Sequence, residues 1–74
     1  MFRPMGGTIS ITVNGEARQI AAGASLADLL AQVGLDTRKV AVERNLEIVP
    51  RSSYPATALA EGDQLEIVHF IGGG

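Results

Sequence analysis

The stretch "TISITVNGEARQI", residues 8–20, limits the fold more than any other part of this chain. Ile9, Ile11 and Val13 alternate with Thr8, Ser10 and Thr12, the period of two that buries one face of a strand and wets the other. Asn14-Gly15 follows at once, and both residue types accept the positive φ angles of a two-residue type I′ turn. The return strand, Glu16 to Ile20, alternates less cleanly, because Ala17 and Ile20 have opposite parity. That suits an edge strand. A hairpin by itself is marginal in water, so the remaining chain must cover its apolar face.

The cover is written in "AAGASLADLLAQVG". Leu26, Leu29, Leu30 and Val33 fall at i, i+3, i+4 and i+7, which places them in one stripe of a helix. Ser25 can cap the N-terminus, with Asp28 three positions later giving an approximate capping box. Gly34 is placed to take the left-handed conformation that ends the helix. Beyond it, "KVAVERN" alternates again, with Val40 and Val42 inward and Ala41 and Glu43 outward. Asn45 then turns the chain into "LEIVP", a short strand stopped by Pro50. "RSSYPATAL" is irregular with one helical turn, anchored by Leu59, and "EGDQ" is a turn. In the last strand, "LEIVHFI", Leu65 and Ile67 share one face while Glu66, Val68 and Phe70 share the other. The order is β-β-α-β-β-β, without repeats or a linker.

A chain of 74 residues has room for one core, and buries only about 60% of the surface its unfolded form exposes. With no cysteine it has neither a disulfide framework nor thiol chemistry, so the fold rests on packing. The net charge of −2 argues against nucleic acid as the main partner. All six Lys and Arg residues lie at or before Arg51, whereas residues 52–74 carry only Glu61, Asp63 and Glu66. The C-terminal part therefore presents an acidic face suited to a basic partner. No run reaches the roughly 20 apolar residues that span a bilayer. "MFRPMGG" lacks the apolar core of a secretory signal, so residues 1–7 read as a loose leader on a cytoplasmic protein. Arg44, Asn45 and Arg51 read as a solvated rim. His69, the only histidine, has no metal-ligand or acid–base companion beside it and reads as structural or partner-contacting. Ser52, Ser53 and Tyr54 make no recognisable nucleophile arrangement with it.

Two hairpin strands, a helix, further strands and a final strand running into Gly72, Gly73 and Gly74 resemble the α+β, β-grasp pattern of ubiquitin-like proteins. Within that group, the "NG" turn, "AAG.SL..LL", "VAVERN...VPR" and "GD.LEIVHFIGGG" look like the ThiS family of sulfur carriers in thiamine biosynthesis. The resemblance covers residues 8–74. It implies a mixed sheet whose first and last strands are parallel neighbours, with one main helix packed across one face. Residues 8–71 then form the domain and 72–74 a tail.

The resemblance also implies a chemistry. The Gly74 carboxylate would be adenylated by an E1-like adenylyltransferase of the ThiF type, which uses ATP and magnesium. Sulfur drawn from cysteine, with a desulfurase acting indirectly, would replace AMP to leave a thiocarboxylate. That group would donate sulfur to a thiazole synthase of the ThiG type. The chain would be a cosubstrate, monomeric when free, binding no cofactor or metal of its own. Gly73 and Gly72 lack Cβ atoms and would thread a channel too narrow for side chains. Val68 and Phe70, on the face without a helix, would form a docking patch with Glu61, Asp63 and Glu66 around it. The runner-up is the small subunit of molybdopterin synthase or another ubiquitin-like carrier or modifier, which shares the fold and the tail.

Overall fold

The computed structural model describes residues 7–70. Strand β1, Thr8–Val13, pairs antiparallel with β2, Glu16–Ala21, in the register Val13 to Glu16. Asn14 and Gly15 have φ of 51° and 84°, the paired positive values that a type I′ turn demands. Helix α1 spans Leu26–Gln32 and closes with Gly34 at φ 80°. The capping box forms as the spacing implies: the Asp28 N–H donates to Ser25 Oγ at 3.1 Å, and the Ser25 N–H donates to Asp28 Oδ2 at 2.9 Å. Such a cap is worth about 0.5–2 kcal/mol, which matters to a helix of seven residues.

Strand β3, Val40–Arg44, pairs with β4, Glu47–Val49, and the last strand, β5, is Gln64–His69. The sheet order is β2-β1-β5-β3-β4, with β1 and β5 parallel and the other pairs antiparallel. The expected element order and mixed sheet are both present. Two short 3-10 turns, Thr37–Lys39 and Arg51–Ala56, fill the connections. The second is the expected helical turn in "RSSYPATAL"; the first carries no apolar pattern and is stabilised locally, where Asp36 accepts from the Arg38 N–H at 2.9 Å. The last strand is shorter than expected. It stops at His69, although the Phe70 N–H still donates to the Lys39 carbonyl at 2.8 Å. Ile71, Gly72, Gly73 and Gly74 lie outside the described residues, as do Phe2 and Met5 of the leader.

The core lies between the helix and one sheet face. Leu26, Leu29 and Leu30 pack with Ile11, Ile20, Val40, Val42 and Leu65, and Ile9, Val13, Val33 and Ile67 flank them half-buried. β2 buries only Ile20, as an edge strand does. Leu59 is buried as expected. Tyr54 is also buried, and its hydroxyl donates to the Val40 carbonyl at 3.4 Å. Segment 57–59 ties back to the start of the helix through Leu26 N–H to the Thr57 carbonyl and Leu59 N–H to the Ala24 carbonyl. Residues 52–59 thus serve the helix side of the sheet.

Candidate functional site at the open end of strand β5

The two faces of the sheet can be assigned from its register. Val42 is buried and stands opposite both Ile67 and Val49, so these residues share the helix-covered face. Side chains alternate along a strand. The neighbouring pairs Ala41–Val68, Glu43–Glu66 and Glu43–Ile48 therefore occupy the opposite face. Val68 is 59% exposed and Phe70 is 49% exposed. Both stand open as the strand parity implies, at the point where the chain leads toward Gly72, Gly73 and Gly74.

Asn14 fixes where that open end begins. β1 stops at Val13, yet its pairing with β5 is carried further by a side chain. The Ile67 N–H donates to Asn14 Oδ1 at 2.8 Å, and Asn14 Nδ2 donates to the Ile67 carbonyl at 3.3 Å. The amide of Asn14 thus takes the place of one more strand residue. The "NG" pattern shows the turn, but not this second use of its asparagine.

At the other end of β5, the structure corrects two expectations. Asp63 is not part of a docking surface: it is only 5% exposed. Its carboxylate accepts from the Ala60 N–H at 2.8 Å, Arg44 Nε at 2.9 Å and Asn45 Nδ2 at 3.1 Å. Burial raises this carboxyl, but the Ala60 N–H, the Asn45 amide and the Arg44 guanidinium outweigh it and hold the pKa below its ordinary value. Arg44, with its side chain 31% exposed, is accordingly tied to Asp63 and not free in solvent, whereas Asn45 is exposed as expected but commits its amide to the same carboxylate. Asn45 also accepts from the Gln64 N–H through Oδ1 at 2.9 Å, and its own N–H donates to the Gln64 carbonyl at 2.7 Å. "EGDQ" looks like a wet turn because its composition is polar. Which of its carboxylates points inward depends on a partner 19 positions away, and no local pattern reveals that.

The remaining expected residues divide. Glu66 is exposed on the open face. Glu61 is exposed, but its Oε1 accepts from the Ser10 N–H at 2.9 Å, so it also fastens the turn to β1. Arg51 is exposed at the head of a 3-10 turn. His69 pairs in register with Val40 and is exposed at the end of the sheet. Among the described residues, no three His, Cys, Asp or Glu side chains gather where they could hold a metal ion. Nor, among the described residues, is any helix long and apolar enough to cross a membrane.

Sequence reasoning missed two exposed apolar residues. Leu46 is 86% exposed and Ile48 is 68% exposed. "LEIV" carries no sign of this, since two alternating apolar residues are as consistent with burial as with display. Leu46 also takes φ 72°, a left-handed conformation that costs a branched L-residue about 1–2 kcal/mol.

The comparisons with known proteins agree with this geometry. Residues 11–74 match the ThiS family. The chain is 56% identical over 66 residues to a thiazole synthase of Paramagnetospirillum magneticum, covering 89% of this chain and 20% of that protein. The chain therefore spans about a fifth of the length of that relative. It is 46% identical over 50 residues to the sulfur carrier protein ThiS of Bacillus subtilis, covering 68% of this chain and 76% of that one. The crystal structure of a thiamine biosynthesis protein (ThiS) from Geobacter metallireducens superposes with a TM-score of 0.75 at 32% identity, covering 89% of this chain and all of that one. Fold, register and relatives converge, and this chain belongs to the ThiS family.

Proposed function

We propose that this chain is a sulfur carrier for thiazole formation in thiamine biosynthesis, a protein cosubstrate that acts in the cytoplasm. The observation that carries this reading is the family match over residues 11–74, a span that includes the glycine run. An E1-like adenylyltransferase, using ATP and magnesium, would join AMP to the Gly74 carboxylate. This turns a poor electrophile into a good one. Sulfur from cysteine would then displace AMP and leave a thiocarboxylate. Thiazole synthase would be the acceptor, in keeping with the thiazole synthases that contain a matching segment. Gly72 and Gly73 offer no Cβ to a narrow channel. At roughly 3.3–3.6 Å per residue, three glycines reach about 10 Å past the last side chain. Val68, Phe70 and Glu66 would dock the folded part, with Glu61 beside them.

The reading requires a free α-carboxylate at Gly74, and intact mass tests it directly. Incubation with the activating enzyme, ATP, magnesium and a sulfur source should raise the mass by sulfur minus oxygen, localised to Gly74. Deleting Gly74, or adding one residue after it, should abolish the increment while the melting curve stays unchanged. Normal modification of either variant would overturn the proposal. Sulfur transfer to a molybdopterin synthase lacking its small subunit, with none to thiazole synthase, would move the carrier to that pathway.

A further inference from the structure

We infer that the turn between β3 and β4 is a recognition element, in which Leu46 and Ile48 form the far end of the surface that thiazole synthase grips. The inference rests on the proposed function for the partner's identity, and on separate observations for the surface. Leu46 is the first of them. A two-residue turn joins Arg44 to Glu47 in register, and both its residues, Asn45 and Leu46, have positive φ. Glycine is the residue suited to the second position. The hairpin of β1 and β2 has glycine there, at Gly15, whereas this turn has a branched residue at φ 72° with 86% of its surface exposed. Leu46 therefore adds strain and displays apolar surface, and neither stabilises the free chain.

The second observation is continuity. Ile48 stands opposite Glu43, and Glu43 opposite Glu66, on the same face as Val68. From Gln64, where Asn45 holds β5, to Phe70 is about 20 Å of strand. That length suits the roughly 800 Å² each partner contributes to a specific interface. Charge selects the occupant. Carboxylates directly opposite one another across two strands are unfavourable, and among the described residues neither Glu43 nor Glu66 has an ion-pair partner. A partner fits if it brings a cationic side chain to this pair and an apolar seat for Leu46 and Ile48 on one side and Val68 on the other. In the relatives that include a thiazole synthase, such a surface would belong to the same polypeptide as the matching segment.

Leu46→Gly separates this role from a structural one, because the two effects have opposite signs. Removing the left-handed strain, partly offset by the extra backbone entropy glycine loses on folding, should raise the melting temperature by about 2–6 °C. The same change should weaken binding to purified thiazole synthase, measured by calorimetry with the unmodified carrier, by about tenfold. Ile48→Ser should weaken it several-fold with little change in melting. Glu43→Gln should reduce the salt dependence of the affinity. Wild-type binding together with unchanged affinity in Leu46→Gly and Ile48→Ser would overturn this inference and leave the proposed function standing. No binding of wild type by the synthase would overturn both.

Discussion

The two ends of β5 are built on opposite terms. At its start, Leu65 is fully packed, Asp63 is buried beneath Arg44 and Asn45, and backbone bonds run to both neighbours, Asn14 N–H to the Leu65 carbonyl and Asn45 N–H to the Gln64 carbonyl. At its finish, Val68 and Phe70 face outward, and Asn14 supplies the last contact on the β1 side with a side chain. One strand thus passes from a well-anchored part of the molecule to an open one within six residues. The difference separates two tasks. The start of β5 holds the fold, while under the proposed function the finish would present the glycine run to a partner.

The largest effect should come from introducing the same charge at each end. Leu65→Asp should unfold the domain, because an unpaired carboxylate in this core costs more than a stability margin of roughly 5 kcal/mol. Ile67→Asp should be milder, since Ile67 is only half-buried. Circular dichroism and urea melts check both. Equal loss at the two positions would break the contrast drawn along the strand.

Much of this contrast is legible in the sequence, and the reason it is only partial is physical. The alternation of Leu65 and Ile67 against Val68 and Phe70 assigns faces, because a strand has a period of two. Ser25, Asp28 and Gly34 mark the helix because capping is local chemistry. Asp63, Arg44 and Asn45 could not be read, since their contacts join residues 18 and 19 positions apart. Composition puts all three in water, and of the three only Asn45 is exposed. Tyr54 was hidden for a similar reason: its burial depends on a 3-10 turn folding toward the helix. Leu46 is the clearest miss, because a leucine in a left-handed turn breaks the local rule that would otherwise have placed a glycine there.

An intermediate effect is expected at the pinned end. Asp63→Asn should cost about 1.5–3 kcal/mol at neutral pH, the range for hydrogen bonds to a charged group. The sign of its pH dependence follows from the lowered carboxyl pKa. The folded state binds this proton less readily than the unfolded chain, whose reference value is 3.8. The stability Asp63 contributes is therefore complete above that value and is lost as pH falls through the lower folded value. In urea melts, the gap between wild type and Asp63→Asn should hold steady at neutral pH and close in acid. A gap that does not change with pH would mean that Asp63 is held by shape and not by charge. Asn45→Ala should remove part of the same gap, since Asn45 donates to Asp63 and accepts from Gln64.

The smallest effect on stability should come from the open end, and there it carries the most information. Val68→Asp and Phe70→Asp place a charge on a surface already in contact with water, so each should shift stability by no more than about 0.5 kcal/mol. Binding should respond differently. In a docked complex the new carboxylate must lose its hydration without gaining a partner, and it joins Glu66 and Glu43 on the same face. Affinity for the activating enzyme should fall by at least tenfold, with the melting curve of the free chain unchanged. The rate of thiocarboxylate formation at saturating enzyme should recover, because the reacting group lies beyond the substituted positions. Loss of stability in Val68→Asp would show that the open face is covered by another part of the chain. Unchanged affinity in both variants would show that the partner grips the glycine run alone, and that the exposed end of β5 delivers the tail without being read.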